Sequence, residues 1–239
     1  MNSTVPAISS GGLALAFLPA VVVIGIMWRW RSQAPTAVYA TARMLIQLLL
    51  IGYVLIYIFE TDDWQQIAAV LAIMLSASAW IAIRPLTTRS LRAYWQALLA
   101  IALGGVLTLG LITHFVIGVD PWFSPRFVVP LAGMTFASSM NAVSLAAERF
   151  ESETSRGGTY LDARRQAFQA ALIPIVNSLF AVGLVALPGM MTGQILSGVS
   201  PLIAAKYQIV VMTMLFGSTG ISAACFLGLQ RGGQAAGAP

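Results

Sequence analysis

Apolar residues in this chain come in long blocks rather than in alternation, and short charged or turn-forming stretches separate the blocks. Five blocks, near 13–30, 42–59, 66–83, 95–118 and 127–147, hold about 17 to 24 mostly apolar residues each. An α-helix rises 1.5 Å per residue, so about 20 residues cross a hydrocarbon core about 30 Å thick. Five spanning helices are predicted there. A sixth block begins near Ala170 and runs through ALIPIVNSLFAVGLVAL, and a seventh occupies about 207–229. Between them, PGMMTGQILSGVSPLIAAK is too apolar for a free loop and too rich in Gly and Pro for an uninterrupted helix. Strands of a membrane barrel would be shorter and would alternate in polarity, which disfavours that class. The predicted fold class is all-α: a polytopic membrane protein of about seven transmembrane helices. Residues 1–239 read as one integral-membrane domain, with its longest hydrophilic segment at 148–169 and a Gly/Ala tail at 232–239.

Composition supports a bilayer as the solvent: the 239 residues are 58% hydrophobic and 9% charged, with a mean hydropathy of +0.83. The net charge of +5 does not point to nucleic acid, because the basic residues sit at the ends of apolar blocks. Placing seven spans in order gathers Arg29, Arg31, Arg43, Arg84, Arg89, Arg92, Arg149, Arg156, Arg164, Arg165 and Arg231 on one side, 11 of the 13 Lys and Arg residues. Arg126 and Lys206 fall on the other. Acidic residues divide evenly: Glu60, Asp62, Asp63 and Asp120 against Glu148, Glu151, Glu153 and Asp162. The positive-inside rule then predicts an inner (plasma) membrane protein with its N-terminus outside and its C-terminus in the cytoplasm. The opening MNSTVPAISSGG lacks a basic cluster, and the first block ends in Arg29 and Arg31 with no small-residue cleavage signal, so a retained first helix is predicted.

The residues that chemistry would need are sparse. A P-loop requires a lysine before Ser or Thr after a Gly-rich turn; Lys206, the sole lysine, lies in AAKY. This chain is therefore expected to bind no nucleotide by a P-loop and to hold no catalytic set. Cys225, the one cysteine, reads as a small buried hydrophobe. The one histidine, His114, with Asp120 is a weak external metal candidate, beside the plainer reading of an interfacial histidine.

Polar residues at membrane depth are costly and tend to face a neighbour or a pathway. Arg43 and Gln47, four apart, share a helical face in the second block, although Arg43 could instead reach the headgroups. In the fifth block Gly133, Ala137 and Asn141 form a small-residue seam ending in an amide. The sixth contributes Pro174, Asn177 and Ser178. Pro188, Gly189, Met190, Met191 and Gln194 follow, with Gln208 beyond them. A helix-perturbing proline beside buried donors suits a transport pathway, or packing alone. The adjacent methionines point to different helical faces; they could bind a soft cation or simply pack. Segment 148–169, ERFESETSRGGTYLDARRQAFQ, is expected to be either a surface helix capped by Thr159 with Asp162 or a solvated loop.

Three strings carry more than composition does: ARMLIQLLLIGYVLIYIFETDD (42–63), VPLAGMTFASSMNAVSLAAER (129–149) and ALIPIVNSLFAVGLVALPGMMTGQILSGVSPLIAAKYQIVVM (171–212). They resemble the Fet-type iron-export permease family, which includes plant aluminium-tolerance membrane proteins; LPGMMTGQI, then P, then KYQI is the most specific part. The resemblance implies a permease subunit that itself binds no cofactor, pairs with a separately encoded ABC ATP-binding subunit that holds the ATP, and is linked to iron or other metal export. In some plant members the proposed cargo is a nucleotide sugar. The chain departs from the family turn at Gly157, Gly158 and Thr159. Glu148, Arg149, Gly157, Gly158, Arg164 and Arg165 are the expected ATPase-coupling residues, and two copies are expected to form a homodimer in the lipid bilayer. Two other classes stand beside this one, an ion-gradient-driven carrier and a non-transporting scaffold. A carrier would need membrane-embedded carboxylates, whereas all eight acids map to loops or helix ends.

Overall fold

The computed structural model describes residues 8–61 and 63–231. Asp62, the first seven residues and the predicted tail at 232–239 lie outside them. The chain divides into two compact units, Met1–Glu60 and Thr61–Pro239.

In the first unit, Ser9 opens α1 (Ser10–Ala16) by accepting a hydrogen bond from the Gly12 amide at 3.1 Å. α2 (Leu18–Arg29) follows after Phe17, and together the two make a span-length segment of 20 residues. The chain reverses at Arg31, whose φ is +53°. Pro35 then sits in the first turn of α3 (Ala34–Phe59), where a missing amide proton costs nothing. α2 and α3 pack against one another.

The second unit begins with α4 (Trp64–Ala82), capped by Asp63, and α5 (Leu91–Ile101), capped by Ser90. The fourth predicted span continues from α5 without a break but not as a uniform helix. π-helical turns at Ala102–Val106 and Ile112–Ile117 flank α6 (Leu107–Leu111). α7 (Pro125–Ser155) and α10 (Pro201–Leu229) stand at the centre, with α8 (Tyr160–Ala181) and the short α9 (Gly189–Leu196) beside them. Lipid tails are as apolar as leucine, so helices here associate by close packing of small residues. Accordingly Ala97, Ala100, Ala132, Ala146, Ala163 and Ala223 are fully enclosed, with Phe136, Met214 and Phe226 filling the larger gaps. Cys225 is half-buried against this core.

The small-residue seam expected on α7 is not its packing face. Ala137 and Asn141 are exposed rather than packed, and a Cβ on Gly133 would only touch Met74, at 3.4 Å. The buried face runs instead through Leu131, Thr135, Ser139, Ala142, Ala146 and Phe150. Bulky and hydroxyl side chains lie between the alanines there, which hides the face from a search for small residues.

Segment 148–169 is neither a loop nor a helix lying on the membrane. α7 runs on through Glu148 to Ser155, and at 31 residues it is about 46 Å long, well beyond one hydrocarbon core. α8 starts only four residues later, capped by Thr159, whose side chain accepts from the Asp162 amide at 3.2 Å and donates to the Asp162 carboxylate at 2.7 Å. The turn between them needs Gly157, with φ +84°. The result is a helical hairpin whose charged end projects past the apolar part of the bundle. Its arms are held together by packed Ala147, Phe150, Ala163 and Ala167, and by Phe150 edge-on to Tyr160 at 5.9 Å. The Tyr160 hydroxyl donates to the Leu227 carbonyl at 2.9 Å, and the Thr87 amide donates to Glu151 at 3.1 Å. Tyr160→Phe, which loses one such bond, is expected to lower the melting temperature by about 2–4 °C, for a cost of about 1 kcal/mol.

Among the described residues, six helical segments are long and apolar enough to span: Ser10–Arg29, Ala34–Phe59, Trp64–Ala82, Leu91–Ile117, Pro125–Ser155 and Pro201–Leu229. The protein is a multi-pass α-helical membrane protein.

Candidate functional site in a broken helix

The sixth apolar block was expected to run to about residue 187, but α8 stops at Ala181. Val182 turns out of the helix with φ −63° and ψ 130°, and Gly183 follows at φ +82°. With the Leu184 amide donating to the Ala181 carbonyl at 3.2 Å, these angles make a type II turn, whose third position favours glycine because the left-handed region costs it nothing. The Val185 and Ala186 amides also reach Ala181 O, at 2.8 and 3.1 Å, and the Gly183 amide returns to Ala186 O at 3.0 Å. The break thus satisfies its own amides, as membrane depth demands. It originates at Gly183, and Pro188 marks the start of the next piece, α9. A Cβ on Gly189 or Gly193 would have nothing within 4 Å.

Residues 170–181 of α8 rise about 18 Å and the eight residues of α9 about 12 Å. The two lengths sum to about 30 Å, close to one hydrocarbon thickness.

Two cavities border these two helices. The first, about 200 Å³, lies among α7, α8 and α10 and is lined by Ser138, Asn141, Pro174, Ser178 and Thr219 with apolar neighbours. Asn141, Pro174 and Ser178, singled out from the sequence, therefore meet in one place. Ser178 donates to the Pro174 carbonyl at 2.9 Å. Thr219 is 3% exposed and its hydroxyl has no partner, as is also true of Ser139 and Ser222 close by in sequence on the same two helices. Sequence reasoning missed these three, because a Ser or Thr in a membrane helix ordinarily bonds back to its own helix, as Thr135 does to Leu131 O at 2.7 Å. Asn177 faces outward and does not line the cavity.

The second cavity, about 330 Å³, opens at the break and is lined by Leu179, Gly183, Met191, Gln208, Met212 and Thr213, among others. Gln208 is 6% exposed, and its carbonyl oxygen is unpartnered. Gln194 on α9 likewise buries an unpartnered carbonyl oxygen. The two methionines separate as helical geometry requires: Met191 faces the cavity and Met190 packs on the core. The two cavities offer amides, hydroxyls and thioethers but no charged group.

Other candidates line neither cavity. Arg43 is half-buried and Gln47 outward-facing on α3 of the first unit. His114 and Asp120 are both exposed, and among the described residues no three of His, Cys, Asp and Glu come together. The expected coupling residues are spread along the hairpin. Gly157 and Gly158 belong to the hairpin turn, whereas Glu148 and Arg149 lie further down α7, where Arg149 pairs with Glu153 at 2.7 Å and donates to Gln166 at 3.0 Å across the arms. A Cβ on Gly158 would stand 2.9 Å from Glu153 O. Arg164 and Arg165, in the second turn of α8 and nearer the hairpin turn than Gln166, line a groove against α10.

Comparison with known proteins agrees with this architecture. The model of an uncharacterised protein family, UPF0014, matches residues 11–232. The UPF0014 membrane protein slr1647 of Synechocystis is 33% identical over 219 residues, covering 85% of this chain and 84% of the relative. The probable iron export permease protein FetB of Escherichia coli is 33% identical over 238 residues, 92% of this chain and 90% of its own. Protein ALUMINUM SENSITIVE 3 of Arabidopsis thaliana is 32% identical over 200 residues, 77% of this chain and 72% of that protein. No solved structure gives a significant match. A family match across nearly the whole chain, with relatives aligned over most of both lengths, places this chain in the UPF0014 family of membrane proteins.

Proposed function

We propose that this chain is the permease subunit of an ABC-type exporter, working in the inner membrane with a separately encoded ATP-binding subunit, and that its cargo is iron or another metal. One observation carries the reading: Ser138, Asn141 and Ser178 of the first cavity and the projecting tip stand on the same two continuous helices. Asn141 lies 14 residues from the end of α7, and Ser178 lies 18 residues from the start of α8. Those lengths are about 21 and 27 Å. A push on the tip is therefore delivered to the cavity through rigid elements. The ATP-binding partner can shift the two membrane conformations only by the difference in its binding to each, and the tip is the surface on which that difference would act.

Supporting facts come from elsewhere in the chain. It has no P-loop lysine, so ATP must be held by another subunit. A relative aligned over nine-tenths of both chains is named a probable iron export permease. Counting the α8 and α9 half-helices as one crossing gives seven, a number that fits an N-terminus outside, a C-terminus and hairpin tip in the cytoplasm, and 11 basic residues inside. Non-helical backbone at membrane depth is tolerated where protein or a cavity covers it. Leu184 and Val185, 91% and 86% exposed at the break, accordingly fit an interface between two copies of the chain. Metal cargo would pass the uncharged cavities by transient contact with amide, hydroxyl and thioether groups rather than in a tight site.

Arg149→Glu combined with Arg156→Glu tests the coupling. Both arginines ion-pair only with Glu153 on the charged hairpin, and such surface pairs contribute about 0–1 kcal/mol, so the fold is expected to persist. Stimulation of the partner's ATP hydrolysis and ATP-dependent export should both be lost. Unchanged export would remove the tip from the mechanism. Thr219→Val probes the pathway: burying a methyl in place of an unpartnered hydroxyl is expected to leave thermal stability equal or higher, while lowering export several-fold in proteoliposomes.

A further inference from the structure

We propose that the groove between the start of α8 and the end of α10 binds the headgroup of an anionic phospholipid. The groove is about 610 Å³, with Leu161, Arg164, Arg165 and Phe168 on one wall and Leu227 and Gly228 on the other. Its floor is apolar and its rim carries two guanidinium groups. Neither arginine takes part in an ion pair among the described residues, since both pairs there use Glu153 with Arg149 or Arg156. The one carboxylate lining the groove, Asp162, already accepts the Thr159 hydroxyl at 2.7 Å. A net positive rim therefore stands over an apolar floor.

The rim is also held in place. Arg164 lies over the Tyr160 ring, 5.6 Å from its centre, and the Tyr160 hydroxyl is tied to the Leu227 carbonyl of α10 at 2.9 Å. A guanidinium kept in position beside a second one matches the forked geometry with which arginine grips phosphate oxygens.

Depth selects a lipid over a protein. Arg164 and Arg165 stand six and five residues before Ala170, where the apolar half of α8 begins. That distance is about 8–9 Å, which sets the guanidinium groups at the level of the headgroup layer. The groove floor then meets the start of the acyl chains. A partner subunit approaching from the cytoplasm would first meet the hairpin tip, whose turn lies further out along the same helices. Basic pockets between membrane helices at this level recognise anionic headgroups.

The test uses the purified full-length chain without any ATP-binding subunit, so its outcome is separate from that of the transport reading. Native mass spectrometry and thermal shifts would compare added phosphatidylglycerol with phosphatidylcholine. Phosphatidylglycerol is expected to be retained and to raise the melting temperature more than phosphatidylcholine does. Arg164→Gln with Arg165→Gln should weaken that binding about tenfold or more. Arg89→Gln with Arg92→Gln, which removes the same charge elsewhere on the basic side, should not. Leu161→Glu, at an exposed position, should also weaken it without relying on loss of arginine. Inorganic phosphate should fail to displace the lipid, since it cannot use the apolar floor. Equal retention of both lipids, equal losses in the two arginine pairs, or displacement by phosphate alone would each overturn the proposal.

Discussion

Gly104→Val is expected to leave almost no monodisperse protein after extraction, and Gly104→Ala to give a sharply reduced yield. A Cβ at this position would overlap the Ser222 hydroxyl oxygen and stand 2.7 Å from both the Ser218 carbonyl oxygen and the Ser222 amide nitrogen. A side chain could swing away, but two of these three atoms are α10 backbone. The first π-helical turn therefore meets α10 with no room for a methyl group, at the centre of the second unit. Overpacking a core costs about 1–3 kcal/mol, and more where backbone has to move. Gly110→Ala is the matched comparison, since nothing lies within 4 Å of its Cβ position. Size-exclusion profiles and melting temperatures of the three variants check the expectation. A Gly104→Ala protein as stable as Gly110→Ala would mean that α10 does not run against this turn.

Gly183→Val is expected to leave a folded protein that exports at least about tenfold less. Nothing lies within 4 Å of the Cβ position, so the substitution meets no neighbour. Its penalty is in the backbone: φ of +82° costs an L-residue about 1–2 kcal/mol, and a β-branched one is the least suited to it. The chain can keep a strained turn or carry α8 onward through Leu187, closing the break on which the second cavity depends. Gly189→Ala and Gly193→Ala, in helix and facing open space, should retain activity. Export by proteoliposomes at matched protein amounts is the measurement, and full activity in Gly183→Val would show that the break is not used in transport.

These two glycines also mark where the sequence stopped being readable. Spans could be located because a bilayer demands about 20 apolar residues in a row, and the observed helices fall on the apolar blocks, although α3 starts at Ala34 and not near 42, α7 runs on to Ser155 and α8 stops at Ala181. The charged hairpin could not, because its polarity resembles that of a loop. What makes it helical is mutual packing, visible in hindsight as Ala163, Ala167 and Ala171 at four-residue spacing, all buried. Proline is the stronger local signal of a helix break, and Pro188 stands just before α9, whereas the turn is set by Gly183. Asn141, Ser178, Gln194 and Gln208 stood out as polar groups in apolar surroundings, and each lines a cavity or buries an unpartnered oxygen. Thr219, Ser139 and Ser222 carry no such contrast, since only the fold reveals that their hydroxyls lack the usual bond to their own helix. Gly104 reads as one glycine among 21 until the crossing with α10 is known.

Reconstitution of the purified chain with its ATP-binding subunit tests the central claim most directly, by following metal efflux from proteoliposomes loaded with iron. A stable complex is predicted, with efflux that requires ATP and is abolished by Arg149→Glu with Arg156→Glu. Failure to form a complex, or efflux driven by an ion gradient without ATP, would contradict it.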